Sequence, residues 1–400
     1  MPQILEPRRR DSPPRETLTP ALRWTLATAS GVAVANLYYN QPMLADIGRT
    51  FHANAHEVGL VATATQVGYA LGMPVFIPLG DFIDRRKLVT SLFAGVAVAL
   101  IGAAASPTIT ALVVASLFIG ITTVIAQILI PLATELAAPE EQGKTIGSIL
   151  TGVLLGILLA RTVSGVVAAH FGWRIMFWAA AAGAITFGAA LWFKLPHMPP
   201  HSKMRYGELM RSMWILVREL PKLRQVSLVA AMFFAAFSAF WTTLVFLLET
   251  PPYHFGAQAA GLFGLVGAAG ASVAPVAGRL SDRRSPRLVI SIALGIVLAA
   301  YAVFWALPFQ LWAVVIGVLL LDIGVQGAQV ANQSRVLALR PEARNRVNTV
   351  YMICYFGGGS AGSLVASWSW GHWQWNGVCG AGVACMLIAV AAFLSRGPEQ

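Results

Sequence analysis

Long apolar runs separated by short polar turns dominate the chain. Twelve runs approach the roughly 20 apolar residues that a membrane-spanning helix needs. They fall at 22–44, 59–79, 88–107, 109–135, 145–168, 175–194, 226–249, 258–278, 288–307, 311–337, 347–369 and 376–395. The first run has no small-residue cleavage site and is too long for a signal-peptide core, so it reads as a span. Residues 1–20 are polar, basic and Pro-rich, a pattern that predicts a disordered segment. A longer basic connection occupies 195–225, and "YGELMRSMWILVREL" within it predicts an amphipathic surface helix. The pattern therefore predicts an all-α integral membrane protein. Its parts would be a six-helix bundle over 21–194, a linker over 195–225, a second six-helix bundle over 226–395 and a tail over 396–400.

Composition agrees with this reading. The 400 residues are 57% hydrophobic and 11% charged, with a mean hydropathy of +0.68. Soluble domains carry about 25% charged residues. The net charge of +11 would suit a nucleic-acid binder, but 25 of the 28 Lys and Arg residues sit at the termini and in alternate turns. Arg49 and Arg174 fall on the other side, and Arg161 lies inside a span. This bias predicts both termini in the cytoplasm and argues against nucleic acid. Cys354, Cys379 and Cys385 lie in apolar runs without metal-ligand spacing.

The halves repeat. "PLGDFIDRRKLV" follows the second run and "AGRLSDRRSPRLV" the eighth, with Asp81 and Asp282 offset by 201 residues. Pro139 aligns with Pro341, Trp173 with Trp375 and Gln127 with Gln329, each at an offset of 202. A constant offset over half the chain indicates a duplicated unit. Six spans per copy make the repeat parallel, about an axis along the membrane normal.

Two six-span halves with basic turns after spans 2 and 8 resemble the major facilitator superfamily of secondary transporters. The second copy, Gly278-Arg279-Leu280-Ser281-Asp282-Arg283-Arg284, follows that family's signature. The first keeps Leu79, Asp81, Arg85 and Arg86 but has Ile77 and Asp84 where the family has Gly. "NLYYNQP" and "DIGVQGAQVANQ" are similar to a bacterial branch of drug and small-solute exporters. The resemblance implies that spans 1, 4, 7 and 10 line a central cavity and that spans 5 and 8 meet between the halves. It also implies that Asp81, Arg85 and Arg86 latch the outward-facing state with Glu135 as partner, and that Asp282, Arg283 and Arg284 form the second turn. Exporters of the family carry Gly-Pro-x-x-Gly-Gly in span 5. Arg161 stands at the Pro position here, with Ser164 and Gly165 at the Gly pair.

Several residues carry candidate chemistry. Asp322, Gln326, Gln329 and Gln333 share one helical face. Turning that face to lipid would be costly, so it must meet protein or water. Span 1 offers Asn36, Tyr39 and Asn40, span 4 offers Thr123 and Gln127, and span 7 offers Ser238, Trp241 and Thr242. These residues suit a partly polar solute, or they hold helices together. Asp322 is the one acid near the middle of a span and can carry a coupling proton. Arg161 can pair with Asp322, contact an anionic substrate or snorkel to headgroups. Glu249 is expected at the outer surface. Ser148, Gly152, Gly156, Ala160 and Ser164 form a small-residue seam for close packing, and Gly261, Gly264, Gly267 and Gly270 form another.

"GGGSAG" matches dinucleotide and nucleophile patterns, but it lies within a span and lacks the strand either requires. Its glycines suit bending or close packing. His52, His56 and Glu57 suit a solvated turn better than a metal site. No phosphate-binding loop points to ATP. The sequence therefore predicts a monomeric, non-enzymatic transporter in the inner membrane, without cofactor or metal, moving a small organic solute. Proton-driven efflux is the first reading. Proton symport or facilitated import is the second, and a non-transporting receptor the third.

Overall fold

A computed structural model describes residues 18–198 and 206–395, apart from the side chains of Pro139, Ala274, Pro275, Asp282 and Pro341. The predicted disordered segment and the tail therefore fall almost wholly outside the described residues. Within them the regular structure is helical: α1 (Pro20–Ala35), α2 (Leu44–Phe51), α3 (Ala55–Leu79), α4 (Arg85–Ala104), α5 (Ile109–Thr122), α6 (Ile125–Leu136), α7 (Gln142–Phe171), α8 (Trp173–Lys194), α9 (Tyr206–Glu219), α10 (Pro221–Glu249), α11 (Ala257–Ala271), α12 (Ala274–Arg283), α13 (Pro286–Ala306), α14 (Leu311–Leu339) and α15 (Arg344–Leu394).

The turns between apolar runs carry the residues that start helices. Thr19 caps α1, and Asn54 and Glu57 close a reciprocal capping box on α3. Thr108 and Ser285 cap α5 and α13. Glu57 is thereby engaged in a helix start.

Ten stretches are long and apolar enough to cross a membrane. Two features separate this count from the twelve runs of the sequence. Helix α1 has 16 residues and gives way to turns over 36–40 and a short 3-10 turn over Gln41–Met43. Helix α15 has 51 residues and a break at Gln374 (φ 52°, ψ −142°). At 1.5 Å per residue it would be about 76 Å long, over twice the hydrocarbon core. The break falls between the predicted runs 347–369 and 376–395. Predicted span 4 is also interrupted, between α5 and α6 at Thr123 and Val124, and span 8 between α11 and α12. The predicted surface helix is α9.

The helices pack in two groups, with α1 to α8 in one and α10 to α15 in the other. Contacts between α7 and α11 and between α3 and α15 join them. Pro20, Leu79, Arg85 and Leu394 mark one end of the bundle, the terminal end. Phe51, Phe171, Glu249 and Ala306 mark the far end.

Glycine sets the closest approaches. A Cβ on Gly358 would come within 2.2 Å of the Ala231 carbonyl oxygen, and one on Gly362 within 2.0 Å of that of Ala235. The "GGGSAG" glycines thus serve the contact of α15 with α10. Gly362→Val is expected to cost at least about 2 kcal/mol through overpacking. An unfolding midpoint in detergent equal to the parent's would contradict this packing.

The span-5 seam faces a different partner from the one expected. Gly152 and Gly156 press against Ala27 and Gly31 of α1 within the first group. Helices α7 and α11 do meet between the groups, through Thr162 and Gly165 against Gly261, where the Thr162 hydroxyl donates to the Gly261 carbonyl at 3.0 Å.

Candidate functional site

Arg161 stands ten residues before the end of α7, and Asp322 eleven residues after the start of α14. At 1.5 Å per residue both lie about 15 Å from the far end. They belong to different groups and meet at the same depth. Arg161 is 2% exposed and Asp322 3% exposed, so Arg161 does not snorkel here.

The guanidinium is held by rings. Its carbon lies 4.1 Å from the Trp241 ring centroid, 4.7 Å from that of Tyr38 and 5.5 Å from that of Phe237. Its Nε donates to Gln41 Oε1 at 2.8 Å. Nη2 is buried without a hydrogen-bond partner, and the Trp241 indole N–H faces the Asp322 carboxylate. Arg161 and Asp322 interact electrostatically but do not form a direct ion pair. Gly267 and Gly270 make the room, since a Cβ on either would fall within 3.2 Å of Asp322 side-chain atoms.

Other predicted residues occupy the surrounding interface. Ser238 donates to Gln66 Oε1 at 3.3 Å, Gln66 donates to the Ser363 hydroxyl at 3.2 Å, and Thr242 bonds that hydroxyl at 2.9 Å. Asn40 donates to Thr65 at 3.0 Å. Asn36 and the Thr123 hydroxyl are buried without partners. Tyr39 instead lines a groove between α1 and α7.

Toward the terminal end the groups part around a cavity of about 490 Å3. Gln127 and Gln333 line it, with Asp81, Arg85, Arg346 and Asn348 near its mouth. Gln127 donates to the Tyr69 hydroxyl at 3.3 Å, and Gln333 to Asn348 at 3.1 Å. Gln329 accepts from Tyr351 at 2.7 Å, and Gln326 is half-buried. At the far end Arg49 of α2 pairs with Asp46 of the same helix and with Glu249 of α10. Glu249 thus links the two groups.

Around the first Asp-Arg-Arg turn, Arg85 pairs with Glu135, lies 3.3 Å from Asp81 and donates to the Gly80 carbonyl at 3.0 Å. Arg86 stacks on Trp192 at 4.7 Å. All of these contacts stay within the first group. In the second turn Arg283 and Arg284 are exposed, and the Asp282 side chain is outside the described residues.

Asp84, which departs from the signature glycine, caps α4. It accepts from the Arg86 N–H at 2.9 Å and meets His197 Nδ1 at 2.6 Å. Burial works to raise its carboxyl, but the bonds from His197 and Arg86 outweigh that, and Asp84 titrates below its ordinary value. The stability it contributes is present above the unfolded value and lost as pH falls through the folded one. Asp84→Ala is expected to cost about 1 kcal/mol at neutral pH. The deficit in unfolding midpoint should shrink below about pH 4. A deficit independent of pH would show that the carboxylate charge plays no part.

Sequence reasoning passed over Tyr38, Gln41, Phe237, Gln66 and Ser363. Tyr38 and Gln41 stand inside "NLYYNQP", and only that motif signalled them.

The family model described as Major Facilitator Superfamily matches residues 26–363. A protein of Escherichia coli O157:H7 named an uncharacterized transporter, YgaY, is 40% identical over 94% of this chain and 95% of its own. A probable transporter of Streptomyces coelicolor is 33% identical over 93% of this chain and 86% of its own. Among solved structures, a bacterial homologue of the human lysosomal transporter Spinster, inward-facing and unoccupied, superposes with a TM-score of 0.74 at 16% identity, covering 95% of this chain and 96% of that one. The nucleoside transporter NupG superposes with a TM-score of 0.76 at 13% identity, covering 93% and 99%. At these identities the two structures bear on the fold alone.

Proposed function

The chain belongs to the major facilitator superfamily and is a multi-pass membrane transporter, and from that premise we propose that it carries a small organic anion together with a proton by alternating access. The supporting observation is the buried, unpaired juxtaposition of Arg161 and Asp322 between the two groups. An ionised Asp322 offsets the guanidinium across the interface. Protonation leaves a positive charge among Tyr38, Phe237 and Trp241, and a buried uncompensated charge is costly. An anionic solute reaching the free Nη2 restores the balance. The empty ionised carrier and the carrier loaded with proton and anion then close readily, whereas the carrier with only the proton does not. That rule describes symport.

Efflux by proton exchange is the competing reading that the exporter-like sequence raises. Arg161 at the position of the exporter proline weighs against it. The Asp81, Arg85 and Glu135 cluster, whose contacts lie within the first group, serves as a rigid gating turn of that group. We place the protein in the inner membrane, and the charge bias supports both termini in the cytoplasm. The mouth at the terminal end then opens to the cytoplasm. Purified protein in vesicles with a measured internal pH tests the reading. Anion uptake should carry protons in the same direction, while solute leaving as protons enter would establish efflux.

A further inference from the structure

Helix α3 carries Pro74 and Pro78 in its interior. Proline has no N–H, so Pro78 cannot donate to the carbonyl four residues earlier. That carbonyl belongs to Pro74 and has no helical donor. Tyr206, the first residue of α9, supplies one. Its hydroxyl donates to the Pro74 carbonyl at 3.1 Å and lies 3.3 Å from the Val75 carbonyl oxygen. The ring packs on Phe82 at 6.0 Å, in the turn after α3. Burial raises the Tyr206 phenol above its ordinary value, so it stays a donor throughout the physiological range.

Helix α9 also packs on the second group. It packs on α10 and α15, and Glu219 at its end lies 4.0 Å from Arg340, between α14 and α15. Leu209 and Met213, one and two turns beyond Tyr206, stand in the wall of the cavity beside Gln127 and Gln333. The helix therefore straddles the mouth, packed against α3 of the first group, where Tyr206 bonds the Pro74 carbonyl, and against α10 and α15 of the second.

We infer that Tyr206 is a positioning residue of the transport cycle: by occupying the Pro74 carbonyl it holds α9 in the mouth of the cavity and favours the state open at the terminal end. Closing that end brings the start of α15 toward the end of α3. The space that Leu209 and Met213 fill then disappears. Helix α9 must slide out, and the tyrosine must leave the carbonyl. The bond exists on one side of the cycle only, which is what biases a two-state element.

The test reads the distance between spin labels at Lys87→Cys and Arg287→Cys, both exposed at the terminal end, with the three native cysteines replaced by Ala. Tyr206→Phe keeps the ring and removes the donor. It is expected to move population from the long to the short distance by at least threefold. Pro78→Ala restores an N–H that can serve the Pro74 carbonyl from within α3. In that background Tyr206→Phe should change the populations by less than half as much. Unchanged populations in Tyr206→Phe would overturn the inference. So would an equal effect in both backgrounds, because the proline-freed carbonyl would then not be the acceptor that matters. The readout needs no substrate, so it stands or falls apart from the symport reading.

Discussion

Replacing Asp322 with Asn is expected to abolish accumulation driven by a pH gradient while leaving solute exchange intact. Asparagine keeps the volume beside Gly267 and Gly270, where a Cβ on either glycine would lie within 3.2 Å of Asp322 atoms. It cannot release a proton. One proton moving down one pH unit supplies about 1.36 kcal/mol, roughly tenfold in accumulation. A gradient of about two units should therefore drive about hundredfold accumulation in the parent and none in the variant. Asn also mimics the protonated acid, so the positive charge of Arg161 is offset only by the anion. Counterflow of labelled against unlabelled solute should persist, and apparent affinity should lose its pH dependence. Accumulation by Asp322→Asn under a pH gradient would remove this residue from coupling.

The second large effect is expected from Arg161→Lys. Lysine preserves the charge, so a purely electrostatic role would survive the change. The geometry predicts otherwise. The flat guanidinium lies 4.1 Å from the Trp241 ring and 4.7 Å from the Tyr38 ring, and its Nε bonds Gln41 at 2.8 Å. An ammonium cannot stack in this way or donate as a fork. A desolvated cation–π contact is worth about 2 kcal/mol, and a charge-assisted hydrogen bond about 1.5–3 kcal/mol. A partial loss of these contacts corresponds to a fall of at least about tenfold in apparent affinity for an anionic solute. Trp241→Phe keeps a ring face and should do less harm. Normal transport by Arg161→Lys would exclude a role for the planar fork.

The sequence made some of this legible because periodicity and charge are local. The apolar runs located the helices. The resemblance named Glu135 as the partner of the basic turn, and Arg85 does pair with it, within the first group. The four-residue rhythm of Asp322, Gln326, Gln329 and Gln333 marked a face turned away from lipid. It could not show that this face passes through two environments. Asp322 lies beside Trp241, whereas Gln333 is about 16 Å farther along α14, in the wall of the cavity. The aromatic cage was illegible for a different reason. Residues 36–43 leave the helix through turns, so a helical wheel misassigns them. It favours Tyr39, whereas the backbone delivers Tyr38 and Gln41 to Arg161. Cross-half partners such as Gln66 with Ser363, or Arg49 with Glu249, lie 297 and 200 residues apart, beyond any local signal.

The two tryptophans aligned by the repeat follow matching breaks. Gly172 precedes Trp173 with φ 87°, and Gln374 precedes Trp375 with φ 52°. Left-handed backbone costs glycine little and glutamine more. Each tryptophan then anchors its break, Trp173 by donating to Thr50 at 3.0 Å and Trp375 by donating to the Phe304 carbonyl at 2.9 Å. The break in the second copy thus persists without the residue type that makes it easy. What the two copies share at the break is the tryptophan clamp that follows, not the hinge residue. In a duplicated protein such a clamp acts as a template: it lets one copy drift in sequence at the joint while the helices on either side keep their aim.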